Sequence, residues 1–376
     1  MKAIISGGGT GGHIFPAIAI ANAIRQKWPE AEILFIGAEG RMEMEKVPAA
    51  GYKIIGLPIA GLQRRLTLRN IGKNLLLPIK VLRSRAKAKK IIKAFDPDIV
   101  VGVGGFASEP TLQSASSMGY PTLLQEQNSY AGLTNKTLSR KAKKICVAYD
   151  GMQRYFPADK IVKTGNPVRA EIEEMTTTQE EGCQYFGIET AKTTLLVVGG
   201  SLGAHSINMM IKDNLSYFKE HDIQVIWQTG KRMGEEARGA VEAAGAARWV
   251  KVCEFVTEMD KAYAAADIIV SRAGALAISE LCIIAKPMIL IPYPNAAEDH
   301  QTKNAQALVQ RGAATMVSDS ECATKGIETI AGLLQDTERQ AKMSSESSKM
   351  GVRKAAEKIV AEIAKIVEAE RGKNNK

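Results

Sequence analysis

Short apolar runs of a few residues recur along this chain, and most end at glycine or at a polar cluster. Between them lie longer stretches whose apolar residues fall at helical spacing. In the first half, residues 3–6, 32–36, 52–56, 99–103, 122–124 and 145–147 read as strands, with helices over residues 14–28 and 83–95. After residue 192 the alternation restarts, with strands at 195–198, 224–228, 250–252, 268–271, 288–291 and 314–317. Strands alternating with helices predict parallel sheets joined by right-handed crossovers. A chain of 376 residues is long enough for two such domains, each with its own core. The turn-rich Thr164-Gly165-Asn166-Pro167-Val168 and the polar stretch 176–181 mark the passage between them. The expected domains are 1–163 and 164–340, followed by a charged helical segment and tail, 341–376.

Composition narrows the class. Apolar content of 45% and charged content of 24% suit a soluble globular protein. The five cysteines, Cys146, Cys183, Cys253, Cys282 and Cys322, form no CxxC pair, which suggests a reduced compartment, no disulfide framework and no zinc site. No run approaches the roughly 18 apolar residues of a membrane span. Met1 leads within a few residues into a glycine loop, so no export signal is read.

The net charge of +10 is local: residues 61–94 hold eleven Lys or Arg and no Asp or Glu. Leucines sit among these cations and aromatics are absent. Surfaces that bind single-stranded nucleic acid usually add stacking aromatics, so no nucleic-acid partner is expected. Apolar residues fringed with Lys and Arg suit an anionic membrane surface. The plainer reading is the solvated face of an ordinary helix.

The chemistry gathers where strands end. Gly7-Gly8-Gly9-Thr10-Gly11-Gly12-His13 follows the first strand, and Gly199-Gly200-Ser201-Leu202-Gly203-Ala204 follows the first strand of the second half. Such loops let backbone N–H groups approach a ligand, and a helix beginning behind them favours an anion. His13 opens a helix, where an imidazolium is disfavoured and the base form is kept available. A third cluster, Gly102 to Ser108, also ends a strand. Gln125-Glu126-Gln127-Asn128 offers groups that can fix sugar hydroxyls. Arg169, near the passage, meets either a phosphate or a surface carboxylate. Glu280, on an otherwise apolar helix, needs a partner, either ribose hydroxyls or a cation. His300 and Gln301 begin another helix after a strand. Neither a metal-ligand set nor a Walker A loop is read, so charge on a leaving diphosphate falls to N–H groups, a helix dipole or arginine. Gly7, Gly9 and Gly12 also spell G-x-G-x-x-G, and Glu39 follows the second strand, so a nicotinamide-dependent oxidoreductase stays open, as does a non-catalytic membrane adaptor.

Six motifs in one order carry a resemblance: Gly8-Gly9-Thr10-Gly11-Gly12-His13, Gly104-Gly105-Phe106-Ala107-Ser108, Gln125-Glu126-Gln127-Asn128, Gly165-Asn166-Pro167-Val168-Arg169, the loop from Gly199 to Ala204, and Asp299-His300-Gln301. Over nearly its whole length the chain resembles the bacterial UDP-N-acetylglucosamine transferases that convert lipid I to lipid II in peptidoglycan synthesis. The resemblance implies an α/β glycosyltransferase-B fold, two Rossmann-like domains with parallel sheets facing a cleft. The first domain would bind acceptor and membrane, the second UDP-GlcNAc. It implies an inverting, metal-independent transfer to the 4-hydroxyl of MurNAc in undecaprenyl-pyrophosphoryl-MurNAc-pentapeptide, the lipid I acceptor, with no cofactor. It further implies a peripheral place on the cytoplasmic face of the membrane, held through residues 61–94, with cell-wall synthesis or division proteins as candidate partners. By motif, the donor contacts are Thr10, Gly11, Gly12, Asn128, Arg169, Ser201, Val256, Glu280 and Gln301, with the backbone of Glu254-Phe255-Val256 meeting uracil. His13 is the candidate general base and Glu126 the alternative. Leu202 stands where the family often has glutamine. Another nucleotide-sugar transferase of this fold, acting on a membrane lipid, is the nearest alternative.

Overall fold

The structure, a computed structural model, describes residues 1–61, 77–200 and 202–374. Most of the basic segment (residues 62–76) and Ser201 therefore lie outside the described residues. By its contacts the chain divides into two units, Met1–Val168 with Lys354–Lys376, and Arg169–Arg353.

The first unit holds β1 (Lys2–Ser6), β2 (Glu32–Ala38), β3 (Lys53–Leu57), β4 (Ile99–Gly102), β5 (Thr122–Glu126), β6 (Lys144–Val147) and β7 (Ile161–Lys163). They form one parallel sheet in the order β3-β2-β1-β4-β5-β6-β7. Both faces are covered, so successive residues of a strand enter different cores. Ile5, Val101 and Leu123 pack on one side with the helix Gly11–Lys27. Ile4, Val100 and Leu124 pack on the other, with Ala88 and Ile92 of the helix Leu77–Phe95 and with Leu112 of Ser108–Ser117.

The strands lie where the apolar runs predict them, with informative differences. Gln125 and Glu126 belong to β5, paired with Cys146 and Val147 of β6, beyond the end at residue 124 that the apolar run predicts. The helix predicted over 83–95 extends further back, its described part running Leu77–Phe95. The three-residue edge strand β7 is too short to stand out as an apolar run. The C-terminal segment forms two helices, Thr337–Met350 and Ala355–Asn374. The second returns to the first unit, where Ile359, Val360, Ile363, Ile366 and Val367 join the β1-side core. The contact boundaries thus fall after Val168 and after Arg353, against the expected 163 and 340.

The second unit has β8 (Thr194–Val198), β9 (Gln224–Gln228), β10 (Val250–Cys253), β11 (Ile268–Ser271), β12 (Met288–Leu290) and β13 (Thr315–Met316). This sheet is also parallel, in the order β10-β9-β8-β11-β12-β13. Each sheet reverses its winding once, between β1 and β4 and between β8 and β11. The crevice outside the carboxyl ends of the strands at such a reversal is where open α/β sheets bind ligands. Among the described residues no helix is long and apolar enough to cross a membrane.

Candidate active site

In the first unit the reversal places the loop after β1 beside the loop after β4. Gly104 and Gly105 both have positive φ, +88° and +79°. A Cβ on Gly104 would stand 3.1 Å from His13 Cδ2 and 3.2 Å from its Nε2, and one on Gly105 would stand 2.4 Å from Gly8 O. The half-buried imidazole of His13 therefore rests against bare backbone. Its Nδ1 is 3.1 Å from Thr10 Oγ1. Thr10 is the extended N-cap residue of the helix Gly11–Lys27, and its carbonyl accepts from the N–H groups of His13 and Ile14. The amides of Gly11 and Gly12 have no carbonyl behind them within the helix, which turns them outward. Among the loop residues singled out by sequence, Thr10, Gly11, Gly12 and His13 thus come together at one helix start.

Gln125, Glu126, Gln127 and Asn128 are buried and bonded within the protein. Glu126 Oε2 accepts from Asn135 Nδ2 at 2.9 Å and from Gly132 N at 3.0 Å; Oε1 accepts from Asn128 N at 3.1 Å and from Asn128 Nδ2 at 3.2 Å. Burial pushes the Glu126 carboxyl above its usual range, and these four hydrogen bonds only partly offset it. Its acceptor positions are thereby occupied in shaping the loop that follows β5. Gln125 donates to Asn166 Oδ1 at 2.9 Å, Asn166 donates to Gln127 O at 2.9 Å, and Gln127 donates to Val103 O at 2.7 Å. This network ties the loops after β4 and β5 to Asn166, near the end of the unit. Glu39, the candidate ribose acid of a dinucleotide site, accepts from Lys87 Nζ at 2.9 Å.

In the second unit the two residues left open by sequence find each other. Arg169 Nε and Nη2 donate to Glu280 Oε1 and Oε2, each at 2.9 Å, a bidentate pair. Tyr263 Oη donates to Glu280 Oε2 at 3.0 Å. Burial opposes the charge on Arg169, but Glu280 more than compensates and holds the guanidinium above its ordinary range. Burial, then the Glu280 charge, pushes the Tyr263 phenol well up, so it stays a donor. A carboxylate has about four acceptor positions; three here serve Arg169 and Tyr263.

The loops around this pair are cross-braced. The Val256 N–H donates to Gln228 Oε1 at 3.0 Å, and Gln228 Nε2 donates to Gly200 O at 3.1 Å, so one buried amide spans the loops after β8 and β10. Gln301 Oε1 accepts from Tyr293 N at 2.9 Å. Gly203 has φ +75°, and a Cβ there would meet Thr229 O at 2.1 Å, so only glycine lets the loops after β8 and β9 approach this closely. Leu202, Phe255 and Tyr293 stand exposed on the loops after β8, β10 and β12. Ser201 lies outside the described residues. Among the described residues no three His, Cys, Asp or Glu are grouped so as to hold a metal ion.

Sequence reasoning passed over Gln228, Tyr263 and Glu43. Gln228 falls in a predicted strand, and Tyr263 and Glu43 in stretches given no element. Glu43 is 1% exposed, beneath the first glycine loop.

Comparison with known proteins shows the family. The Glycosyltransferase family 28 N-terminal domain matches residues 3–147 and its C-terminal domain residues 194–359. The UDP-N-acetylglucosamine--N-acetylmuramyl-(pentapeptide) pyrophosphoryl-undecaprenol N-acetylglucosamine transferase of Parabacteroides distasonis is 52% identical, covering 98% of each chain. The enzyme of the same name from Porphyromonas gingivalis is 53% identical, covering 100% of this chain and 98% of its own. The crystal structure of Acinetobacter baumannii MurG superposes with a TM-score of 0.80 at 28% identity, over 97% of this chain and 99% of that one. The chain therefore belongs to glycosyltransferase family 28, and within it to the UDP-N-acetylglucosamine–N-acetylmuramyl-(pentapeptide) pyrophosphoryl-undecaprenol N-acetylglucosamine transferases.

Proposed function

We infer that the chain transfers N-acetylglucosamine from UDP-N-acetylglucosamine to undecaprenyl-pyrophosphoryl-MurNAc-pentapeptide, converting lipid I to lipid II. Identity near one half with enzymes of that name, over almost the full length, carries this reading. Incubation of the purified protein with labelled UDP-N-acetylglucosamine and a lipid I analogue tests it. Labelled disaccharide-lipid is expected; its absence, with only free sugar or no reaction, overturns the reading.

In the proposed chemistry the 4-hydroxyl of the muramyl sugar attacks the anomeric carbon of the donor. His13 takes its proton, an aid typically worth about 10²–10⁴-fold. UDP departs from the opposite face, and the configuration inverts. The seat of His13 against Gly104 and Gly105 favours it over Glu126, whose oxygens already accept four hydrogen bonds. The nucleotide end of the donor lies on the second unit, with the remaining acceptor position of Glu280 taking a ribose hydroxyl. Arg169 acts there chiefly by holding Glu280, and Gln301 sits at its rim. The Val256 carbonyl faces uracil, since its N–H serves Gln228. Thr10, Gly11, Gly12 and Asn128 are the donor contacts carried by the first unit. Ser201 and its loop receive the developing diphosphate charge.

Charge on the departing UDP falls to backbone amides and a helix start, so no divalent ion is needed. Turnover in excess EDTA should match that without it. Loss restored by Mg²⁺ or Mn²⁺ overturns the metal-independent mechanism.

The basic segment holds the enzyme on the anionic cytoplasmic face of the membrane, where its lipid acceptor lies. In the described part, Ile79, Leu82, Arg83, Ala86, Lys90 and Lys93 are exposed at spacings of three or four residues along Leu77–Phe95. That spacing supports the reading.

A further inference from the structure

We propose that Glu43 positions the catalytic loop: its buried carboxylate fixes the backbone presenting Thr10 and His13. The proposal rests on the transferase reading above.

Glu43 opens the short helix Glu43–Ala49, and its side chain turns inward beneath the loop after β1. Oε2 accepts from Gly9 N at 3.0 Å and Oε1 from Ala38 N at 3.1 Å. One carboxylate thus ties the glycine loop to the last residue of β2. Two glycines make room for it. A Cβ on Gly8 would lie 2.2 Å from Glu43 Oε1, and one on Gly37 would lie 2.7 Å from Glu43 Cγ. Gly37 is inside β2, where glycine weakens a strand and marks the close approach of another group. Gly8 is held from the other side as well, because Gly105 packs against its carbonyl. The backbone that leads to His13 is therefore clamped between Gly105 and the Glu43 carboxylate.

A buried carboxylate needs donors, and it finds them in the Gly9 and Ala38 amides.

Glu43→Gln and Glu43→Ala, assayed with a soluble lipid I analogue, test the proposal. A displacement of about 1 Å at a reacting group can cost 10²-fold, so kcat should fall about 100-fold in Glu43→Ala and about 10-fold in the isosteric Glu43→Gln. Affinity for UDP, whose contacts Val256 and Glu280 belong to the second unit, should stay within about twofold of wild type. Gly37→Ala alone should mimic Glu43→Ala, but should add little to it, because the obstructing Cγ is gone; the same coupling should show in thermal stability.

A near-wild-type kcat in a folded Glu43→Gln protein would sink the proposal. So would a UDP affinity that falls in step with kcat, or additive losses from Gly37→Ala and Glu43→Ala. Should Glu43→Ala fail to fold, Glu43→Gln carries the test. A wild type that turns over no acceptor overturns the transferase reading itself, and the positioning role falls with it.

Discussion

At the scale of single residues, the site works by giving each reactive group one fixed neighbour. His13 leans on Gly104 and Gly105 and meets Thr10. His13→Ala should cut kcat by about 10²–10⁴-fold while UDP affinity, measured by calorimetry, stays unchanged; a rate near wild type would move the base elsewhere, with Glu126 next in line. In the second unit the Tyr263 hydroxyl orients Glu280. Tyr263→Phe removes one bond to a charged group, worth about 1.5–3 kcal/mol. Donor KM should rise about tenfold, with little change in kcat. With a 2′-deoxyribose donor, which lacks a hydroxyl that Glu280 can hold, the penalty should shrink; an equal penalty for both donors would leave Tyr263 a packing residue. The glycines and His13 were legible in sequence because a run of glycines before a helix has few other uses. The Arg169–Glu280 pair was legible only as two separate questions, since residues 111 positions apart give no local sign that they meet. Glu43 gave no sign at all: its carboxylate is buried only because Gly8 and Gly37 vacate the space for it.

At the scale of elements, period and punctuation carried most of the information. Parallel strands buried on both faces are short apolar runs, and their edges drift by only a residue or two from those runs. Prediction failed where polarity and burial part company. Gln125 and Glu126 lie beyond the apolar run but sit in β5, where Asn135, Asn166 and backbone amides satisfy them. The helix Leu77–Phe95 shows how one element can serve two faces. Ser84, Ala88 and Ile92 are buried against the sheet. Arg85 pairs with Glu109 and Lys87 with Glu39 along its flanks. The outward stripe keeps Ile79 at 50% and Leu82 at 65% exposure beside the exposed Arg83, Lys89, Lys90 and Lys93. Each cation near an anionic bilayer contributes about 1 kcal/mol, screened by salt. Replacing Arg83, Lys89, Lys90 and Lys93 with Gln should therefore release the protein from phosphatidylglycerol vesicles in a co-sedimentation assay. Turnover of a water-soluble acceptor should be little changed. Undiminished sedimentation would leave the stripe an ordinary solvated face and shift the contact to residues 62–76.

At the scale of the whole chain, the glycine loops placed after the first strand of each half gave the two-unit architecture. The destination of the last helix was not legible, because an amphipathic pattern shows that a face is buried but not against what. That helix is fastened to the first unit by five aliphatic side chains and by ion pairs at its end, Lys143 with Glu370 and Arg371 with Asp98. Burial works against the Asp98 charge, but the Lys2 N–H and Arg371 outweigh it, so its carboxyl sits below the usual range. A depressed carboxyl stabilises the fold above its unfolded pKa, and the gain is lost as pH falls through the native value. Asp98→Asn should lower stability at pH 7 by under about 1 kcal/mol for so exposed a pair, read as a modest fall in Tm. The difference should close in acid, once wild-type Asp98 is itself protonated; a gap that persists there would mean that packing, not charge, was lost. The returning helix also orders events during synthesis. Domains usually complete themselves from the N-terminus as the chain emerges from the ribosome. Here Arg169–Arg353 can close its core while the earlier-made unit still waits for Ile359, Ile363 and Val367. The half that emerges first is the half that finishes last, and its apolar β1 face is left to solvent or to a chaperone until the helix Ala355–Asn374 emerges.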